Sequence, residues 1–446
     1  MKKRNISPAI QIILIFGIIS MLGDVIYESA RGVNSQYLNL IGISATKVGV
    51  VFGIGEFLGY FLRLFAGYLS DYTKKHWLFI FVGYGLLFVI PLIGFSQNWN
   101  ILIILILLER IGKSLRNPAK DTILSSIAKN EVGLGFAFGL QEALDQVGAF
   151  LGPLIFTAVF YFTGKNTINE YQFSYKLLFV PFILLMVFVY IAYRKVNGEN
   201  IIKEINIKEY RSDNLKSIFW IYTFFAFFAS LGFVNFSIIG YHLKAKAIIG
   251  DKSIAMIYSF AMIVDAFFAL LVGHLYDKLK DKTDLETGGI LVLALIPLLT
   301  CLLPFLTLSY KIPLIIIGMF IWGMVMGTHE TIMKSAIGDL VPFSKRGSGY
   351  GVFNTSYGLA LFCGSSIMGL LYDKSSITTI IIISLIAELI AFILFIKMKK
   401  LIKSTWNLKT DLNIHNLCRC VKIYWNLYFI YLSLAKLQNM YYYNKC

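Results

Sequence analysis

Twelve long apolar runs follow one another along the chain, at roughly 9–31, 46–70, 77–97, 99–118, 134–163 and 174–194, then 217–241, 253–276, 287–307, 312–335, 348–371 and 376–397. Each is long enough to cross a bilayer as a helix, which takes about 20 residues. Hydrocarbon tolerates no unpaired backbone amide, so such runs must be helical. A membrane barrel is excluded, because its strands alternate apolar and polar residues over about ten positions. Stretches such as Ile101–Leu108 are instead continuously apolar. The pattern predicts an all-α polytopic membrane protein of twelve transmembrane helices.

The polar gaps orient and divide the chain. Most Lys and Arg outside the tail fall at one set of ends, including Lys2, Lys3, Arg4, Lys74, Lys75, Lys113, Arg116, Lys120, Arg194, Lys195, Lys278 and Lys280. Few fall at the other set, among them Arg31, Lys47, Lys165 and Lys252. Basic loops stay inside, so both ends of the twelve-span body are expected in the cytoplasm, in a plasma or inner membrane. The apolar start after Met1-Lys2-Lys3-Arg4 reads as a retained first span rather than a cleaved leader. The longest polar gap alternates charge sign (Glu199, Lys203, Glu204, Lys208) and reads as a solvated linker or surface helix. The expected organisation is a six-helix half at 1–194, a cytoplasmic linker at 195–216, a second six-helix half at 217–400 and a tail at 401–446. The tail is rich in Asn, Lys and Tyr, and its apolar stretch Tyr424–Ala435 suits an interfacial helix or a poorly ordered end.

The two halves repeat each other. Gly67-Tyr-Leu-Ser-Asp71 after span two returns as Gly273-His-Leu-Tyr-Asp277 after span eight, at an offset of 206 residues. Spans five and eleven match at an offset of 212, where Gly135, Gly139 and Gly152 correspond to Gly347, Gly351 and Gly364. Pseudo-symmetric halves place a substrate path at their interface near the bilayer midplane.

These residues carry a resemblance to the major facilitator superfamily across residues 1–400. Gly67 and Asp71 match that family's Gly-x-x-x-Asp-Arg-x-Gly-Arg-Arg loop signature, and Lys75 and His76 stand where two arginines are usual. Tyr72 and Lys74 depart from the expected Arg and Gly. Gly139-x8-Gly148-x3-Gly152-Pro153 resembles the signature of drug/proton exporters, with Phe156-Thr157 where its final Gly-Gly would stand. The stretch Glu109 to Asp121 looks like an efflux-like bacterial branch. The resemblance implies alternating access, with the loops at Gly67, Asp71, Lys75 and at Gly273, Asp277 latching the halves on the cytoplasmic face. Gly139, Gly148, Gly152 and Pro153 would pack and kink span five, although small residues equally serve close helix packing alone.

Ionisable groups inside a membrane are costly and mark partners or pathways. Glu56, Glu109, Asp145 and Asp265 each lie about ten to twelve residues into their spans, roughly 15–18 Å deep at 1.5 Å per residue, near the middle of a core of about 30 Å. They are expected to line one cavity. Asp24 and Glu28 share a helical face, as do Glu142 and Asp145. Two carboxylates that close disfavour ionising together, so one can hold a proton, which proton coupling requires. Arg63 and Arg110 read as the basic residues well inside the first half, able to neutralise an acid or bind an anion. A structural pairing of Glu56 with Arg63 competes with that role, while Glu109 and Arg110 diverge on their helix. Glu388, deep in span twelve, is expected to be peripheral. By the repeat, Glu142 and Asp145 correspond to Asn354 and Tyr357, so the coupling chemistry is expected in the first half.

Composition narrows the class further. Hydrophobic residues make up 57% of the chain and charged residues 15%, against about 25% charged in soluble domains. The net charge of +16 is explained by loop topology rather than nucleic-acid binding. The five cysteines show no disulfide framework, and Cys418-Arg-Cys420 lacks further metal ligands. No phosphate-binding loop or catalytic triad pattern is visible, so neither an enzyme nor an ATP-driven pump is expected. The expectation is a monomeric secondary transporter without cofactor or metal, exporting a small molecule in exchange for protons. An importer or facilitator of a polar metabolite, and a non-transporting receptor or scaffold, are the alternatives.

Overall fold

A computed structural model describes residues 8–131, 134–198, 217–283, 292–340 and 346–405. Twelve helical rods run through them: α1 (Pro8–Leu40), α2 (Ala45–Thr73), α3 (from His76–Gly85 through the short turn Ile93–Phe95), α4 (Trp99–Glu131), α5 (Leu134–Thr163), α6 (Ile168–Leu177 and Phe179–Gly198), α7 (Ser217–Leu231 and Phe236–Ala245), α8 (Asp251–Thr283), α9 (Leu295–Thr300 and Leu303–Thr307), α10 (Ile312–Leu340), α11 (Arg346–Asp373) and α12 (Ile377–Thr405). No strand occurs among the described residues. Ten rods are long and apolar enough to span a membrane. α4, which carries Glu109, Arg110, Lys113 and Arg116, is not among those ten, and α9 is the shorter apolar segment Val292–Thr307.

Two rods exceed the apolar runs that announced them. α1 continues to Leu40 through Arg31, Asn34, Ser35 and Gln36, so Arg31 is a helical residue and not an outer loop. Asp24 and Glu28 therefore lie in the middle of a 33-residue helix, although the apolar run at 9–31 would put them near its outer end. α4 runs on past residue 118, and Arg116 and Lys120 are buried at 3% and 5% exposure rather than placed in an inner loop. In both cases polar side chains turn toward protein, which a hydropathy run cannot distinguish from turning toward water.

Glycine sets the closest helix contacts, because only a missing Cβ allows backbone to touch backbone. A Cβ at Gly152 of α5 would lie 2.6 Å from the Val25 carbonyl of α1, and Gly148 meets the Met21 carbonyl in the same seam. The repeat reproduces this contact. A Cβ at Gly364 of α11 would lie 2.6 Å from the carbonyl of Leu231 in α7. Leu231 follows Val25 by 206 residues and Gly364 follows Gly152 by 212, the two offsets of the sequence repeat. α5 is one uninterrupted helix through Pro153. Gly139, Asp71 and Asp277 have no described side-chain surroundings, and the tail beyond Thr405 and residues 199–216 of the 195–216 linker also lie outside the described residues.

At the end expected to face outward, the halves are tied together. The Asp373 carboxylate of α11 accepts bonds from the Ala45 and Thr46 amides (2.9 and 2.8 Å) and from the Thr46 hydroxyl (2.6 Å), capping α2. Tyr241 of α7 donates to the Ile43 carbonyl at 2.9 Å, and Thr157 of α5 donates to the Lys252 carbonyl at 3.4 Å. At the other end, Lys74 closes α2 in the left-handed region (φ 53°), where the signature it departs from has glycine.

Candidate functional site

Helical spacing builds a cavity between the halves. Tyr27 and Arg31 of α1, Glu56, Tyr60 and Arg63 of α2, and Arg110 and Lys113 of α4 recur at three- or four-residue intervals, so each set presents one face. The opposite wall comes from Met326 and Glu330 of α10 and Tyr357 and Leu361 of α11, again one turn apart. Phe233 and Asn235 complete it from the break in α7, where the chain leaves the helix between Leu231 and Phe236. That break is held in place: Asn235 caps the second piece by accepting from the Ser237 amide (3.1 Å), and the buried Trp322 indole donates to the Val234 carbonyl (2.9 Å). The space between these walls, open solvent included, is about 560 Å³.

Arg110 is the centre of its charged wall. Its Nη1 lies 3.0 Å from Glu56 Oε1, its Nε 3.3 Å from Glu109 Oε2, and it donates to the Tyr27 hydroxyl. All four side chains are buried. Gly55 lets the arginine lie along α2, since a Cβ there would come to 3.0 Å from Arg110 Cγ. Glu56 thus pairs across helices with Arg110 rather than with Arg63 two turns along α2. Glu109 reaches Arg110 as well, although their backbone directions diverge, because long side chains bend back. Arg31 pairs with Glu28 at 3.3 Å, and Tyr258 of α8 donates to the other Glu28 oxygen, joining the two halves inside the bundle.

A second group sits beside this wall. The Lys120 ammonium donates to Ser20 at 2.6 Å, both buried. Asp145 of α5 has Lys120, Glu142 and Lys113 as charged neighbours, and Asp24 of α1 has Asp145 and Lys113. Gly148 allows this approach, because a Cβ there would be 3.2 Å from Asp24 Cβ. Asp145 keeps one buried oxygen without a hydrogen-bond partner, and Glu142 is exposed. Lys113 is common to both groups, since it lines the cavity and neighbours Asp24.

The four midplane acids therefore divide. Glu56 lines the cavity and Glu109 adjoins it through Arg110, but neither Asp145 nor Asp265 is among its lining residues. Asp265 is buried against α10, where a Cβ at Gly327 would lie 3.0 Å from its Oδ1, and Glu330 is its foremost charged neighbour. The expectation of one cavity shared by all four is corrected to two adjoining groups and a buried acid behind the opposite wall. Arg63 and Arg110 are not the only basic residues inside the first half, because Arg31, Lys113, Arg116 and Lys120 join them. Tyr27 and Tyr60 are cavity residues that the sequence does not single out, and Tyr357 enters there only as the counterpart of Asp145. The turn spacing of Tyr27 with Arg31 and Tyr60 with Arg63 was the available signal. Glu388 is fully buried, both oxygens without a hydrogen bond, against Gly232 at the α7 break.

The family model of the Major Facilitator Superfamily matches residues 6–333 and 253–435. The chain belongs to this superfamily. It is therefore a transporter of the membrane rather than an enzyme. An uncharacterized protein of Mycobacterium bovis is 32% identical to this superfamily member over 388 residues, covering 86% of the chain and 91% of that protein. The solved structure of the nucleoside transporter NupG superposes with a TM-score of 0.66 at 13% identity, covering 87% of the chain and 99% of that structure, which is a likeness of fold. A shorter stretch of 120 residues is 33% identical to the quinolone resistance protein NorA of Staphylococcus aureus, 27% of this chain and 29% of that protein.

Proposed function

We propose that this transporter moves its substrate through the cavity by alternating access and uses the proton as coupling ion. The observation that carries the reading is the Asp24–Asp145 pair, which shares lysine neighbours beside the cavity. A carboxylate held among other carboxylates and lysines can change its protonation and so alter where the lysines turn. Lys113 links that change to the cavity. Export in exchange for protons is the direction taken here, supported by the partial likeness to NorA and by the span-five motif. The protein works without cofactor as a monomer in the plasma or inner membrane, both ends of the twelve-span body in the cytoplasm. Its halves at 1–194 and 217–400 rock about the contacts described, and the linker and tail serve neither path.

A second reading has one observation of its own. Lys113 is shared between Asp24 and the cavity, so a proton on Asp24 frees the lysine for an occupant, which favours proton and substrate moving together. Proteoliposomes with an imposed pH gradient, a trapped pH dye and a panel of labelled metabolites separate these outcomes. Exchange requires efflux against proton entry, and co-transport requires the two in the same direction. Flux indifferent to the gradient contradicts proton coupling and leaves a facilitator. Absence of any flux contradicts transport and leaves a receptor or scaffold.

A further inference from the structure

The cavity's basic residues are not equally satisfied. Arg31 has Glu28, and Arg110 has Glu56 and Glu109. Arg63 and Lys113 make no ion pair among the described residues. Each lies over an aromatic ring instead: the Arg63 guanidinium 5.1 Å from the centre of Tyr60, and the Lys113 ammonium 3.8 Å from that of Tyr27. Arg63 Nε is buried with no acceptor. Both cations face the cavity, and Lys113 has Asp24 and Glu28 as its foremost charged neighbours with Arg63 next after them. Two like charges on the wall of a low-dielectric space repel, and a buried donor without an acceptor forfeits its hydrogen bond.

We propose that the cavity takes an organic anion with an apolar body, its acidic group held between Arg63 and Lys113. The inference rests on the reading of the cavity as the substrate site. An anion there relieves the repulsion, supplies the missing acceptor and makes charge-assisted bonds, which are about twice as strong as neutral ones. The guanidinium fork suits a planar carboxylate, with the ammonium as a second point charge. A cation finds no comparable place on that wall, because Glu56 is already engaged by Arg110. Glu330 stands on the opposite wall with Asp265 behind it, so the acidic group is directed away from it. The apolar body then lies against Phe233, Met326 and Leu361. Tyr60 and Tyr357, edge to face at 4.9 Å, separate the charged from the apolar end.

Three compounds of nearly one shape test the class: 2-naphthoate, 2-naphthylmethanol and 2-naphthylmethylammonium. Equilibrium binding is measured on the full chain in nanodiscs of zwitterionic lipid, with binding to protein-free discs subtracted. The naphthoate is expected to bind about tenfold or more tightly than the alcohol, and the ammonium more weakly than both. R63Q and K113Q should each remove that advantage, and K113R should keep most of it. Tighter binding of the ammonium, no saturable binding of the naphthoate, or an advantage that survives R63Q and K113Q together overturns the proposal. Binding is read without flux, so this result stands apart from whether transport is proton-coupled.

Discussion

The two walls of the cavity come from the two halves of a repeated fold, with α1 and α4 of one facing their counterparts α7 and α10 of the other, yet they differ in chemistry. The first half supplies Arg31, Glu56, Arg63, Arg110 and Lys113, with Asp24, Asp145 and Lys120 behind them. The second half supplies Phe233, Asn235, Met326, Tyr357 and Leu361, with Glu330 as its charge. The position equivalent to Asp145 is Tyr357, which packs on Tyr60 and meets His329 at 3.3 Å. The shared glycine contacts, Gly152 on Val25 and Gly364 on Leu231, show that packing was kept in both halves. Duplication thus preserved the frame, and the charge is concentrated on one wall. A frame needs small residues at fixed contacts, whereas ionisable groups in a membrane are costly and mark partners or pathways.

The largest expected effect breaks the charged wall. Arg110→Gln leaves Glu56 and Glu109 facing each other without their common partner, and loss of one member of a buried ion pair costs about 3–5 kcal/mol. Thermal unfolding in detergent should show a marked loss for Arg110→Gln and a much smaller one for Tyr357→Phe on the opposite wall. Equal losses would mean that the walls do not differ as described.

That contrast was only partly legible in the sequence. Apolar runs located the twelve rods, because hydrocarbon forces long helices and leaves an unmistakable pattern. They misjudged the ends of α1 and α4, where Asn34, Ser35, Gln36, Arg116 and Lys120 are polar yet buried in protein. The acids were found one by one, since each is unusual in a span. Their grouping was not, because it depends on which helices adjoin and on how far Arg110 and Lys113 reach. Glu388 marks the same boundary. Its depth was visible, but its position against the Gly232 break in α7 was not.

A moderate effect is expected at the contact that joins the halves. Asp373→Asn keeps an acceptor at the start of α2 but removes its charge, at a cost of about 0.5–1 kcal/mol. The form closed at that end should become up to about fivefold less populated relative to its open counterpart. Spin-label distances across the Ala45–Asp373 end would register the shift, and an unchanged distribution would show that this cap does not hold the halves together.

The smallest effect is expected at Glu388. Its carboxyl is fully buried without a hydrogen bond, so Glu388→Gln, which keeps the shape of the side chain, should leave flux intact and alter unfolding less than Arg110→Gln does. Loss of flux in this variant would place a coupling group in the second half and remove the asymmetry.

The asymmetry is tested most directly at Asp145. Asparagine reproduces the protonated side chain and cannot release a proton. In proteoliposomes, Asp145→Asn is expected to abolish flux driven by a pH gradient while sparing counterflow exchange of the same labelled compound, with Tyr357→Phe retaining both. Full gradient-driven flux in Asp145→Asn would contradict the assignment of proton chemistry to the first half.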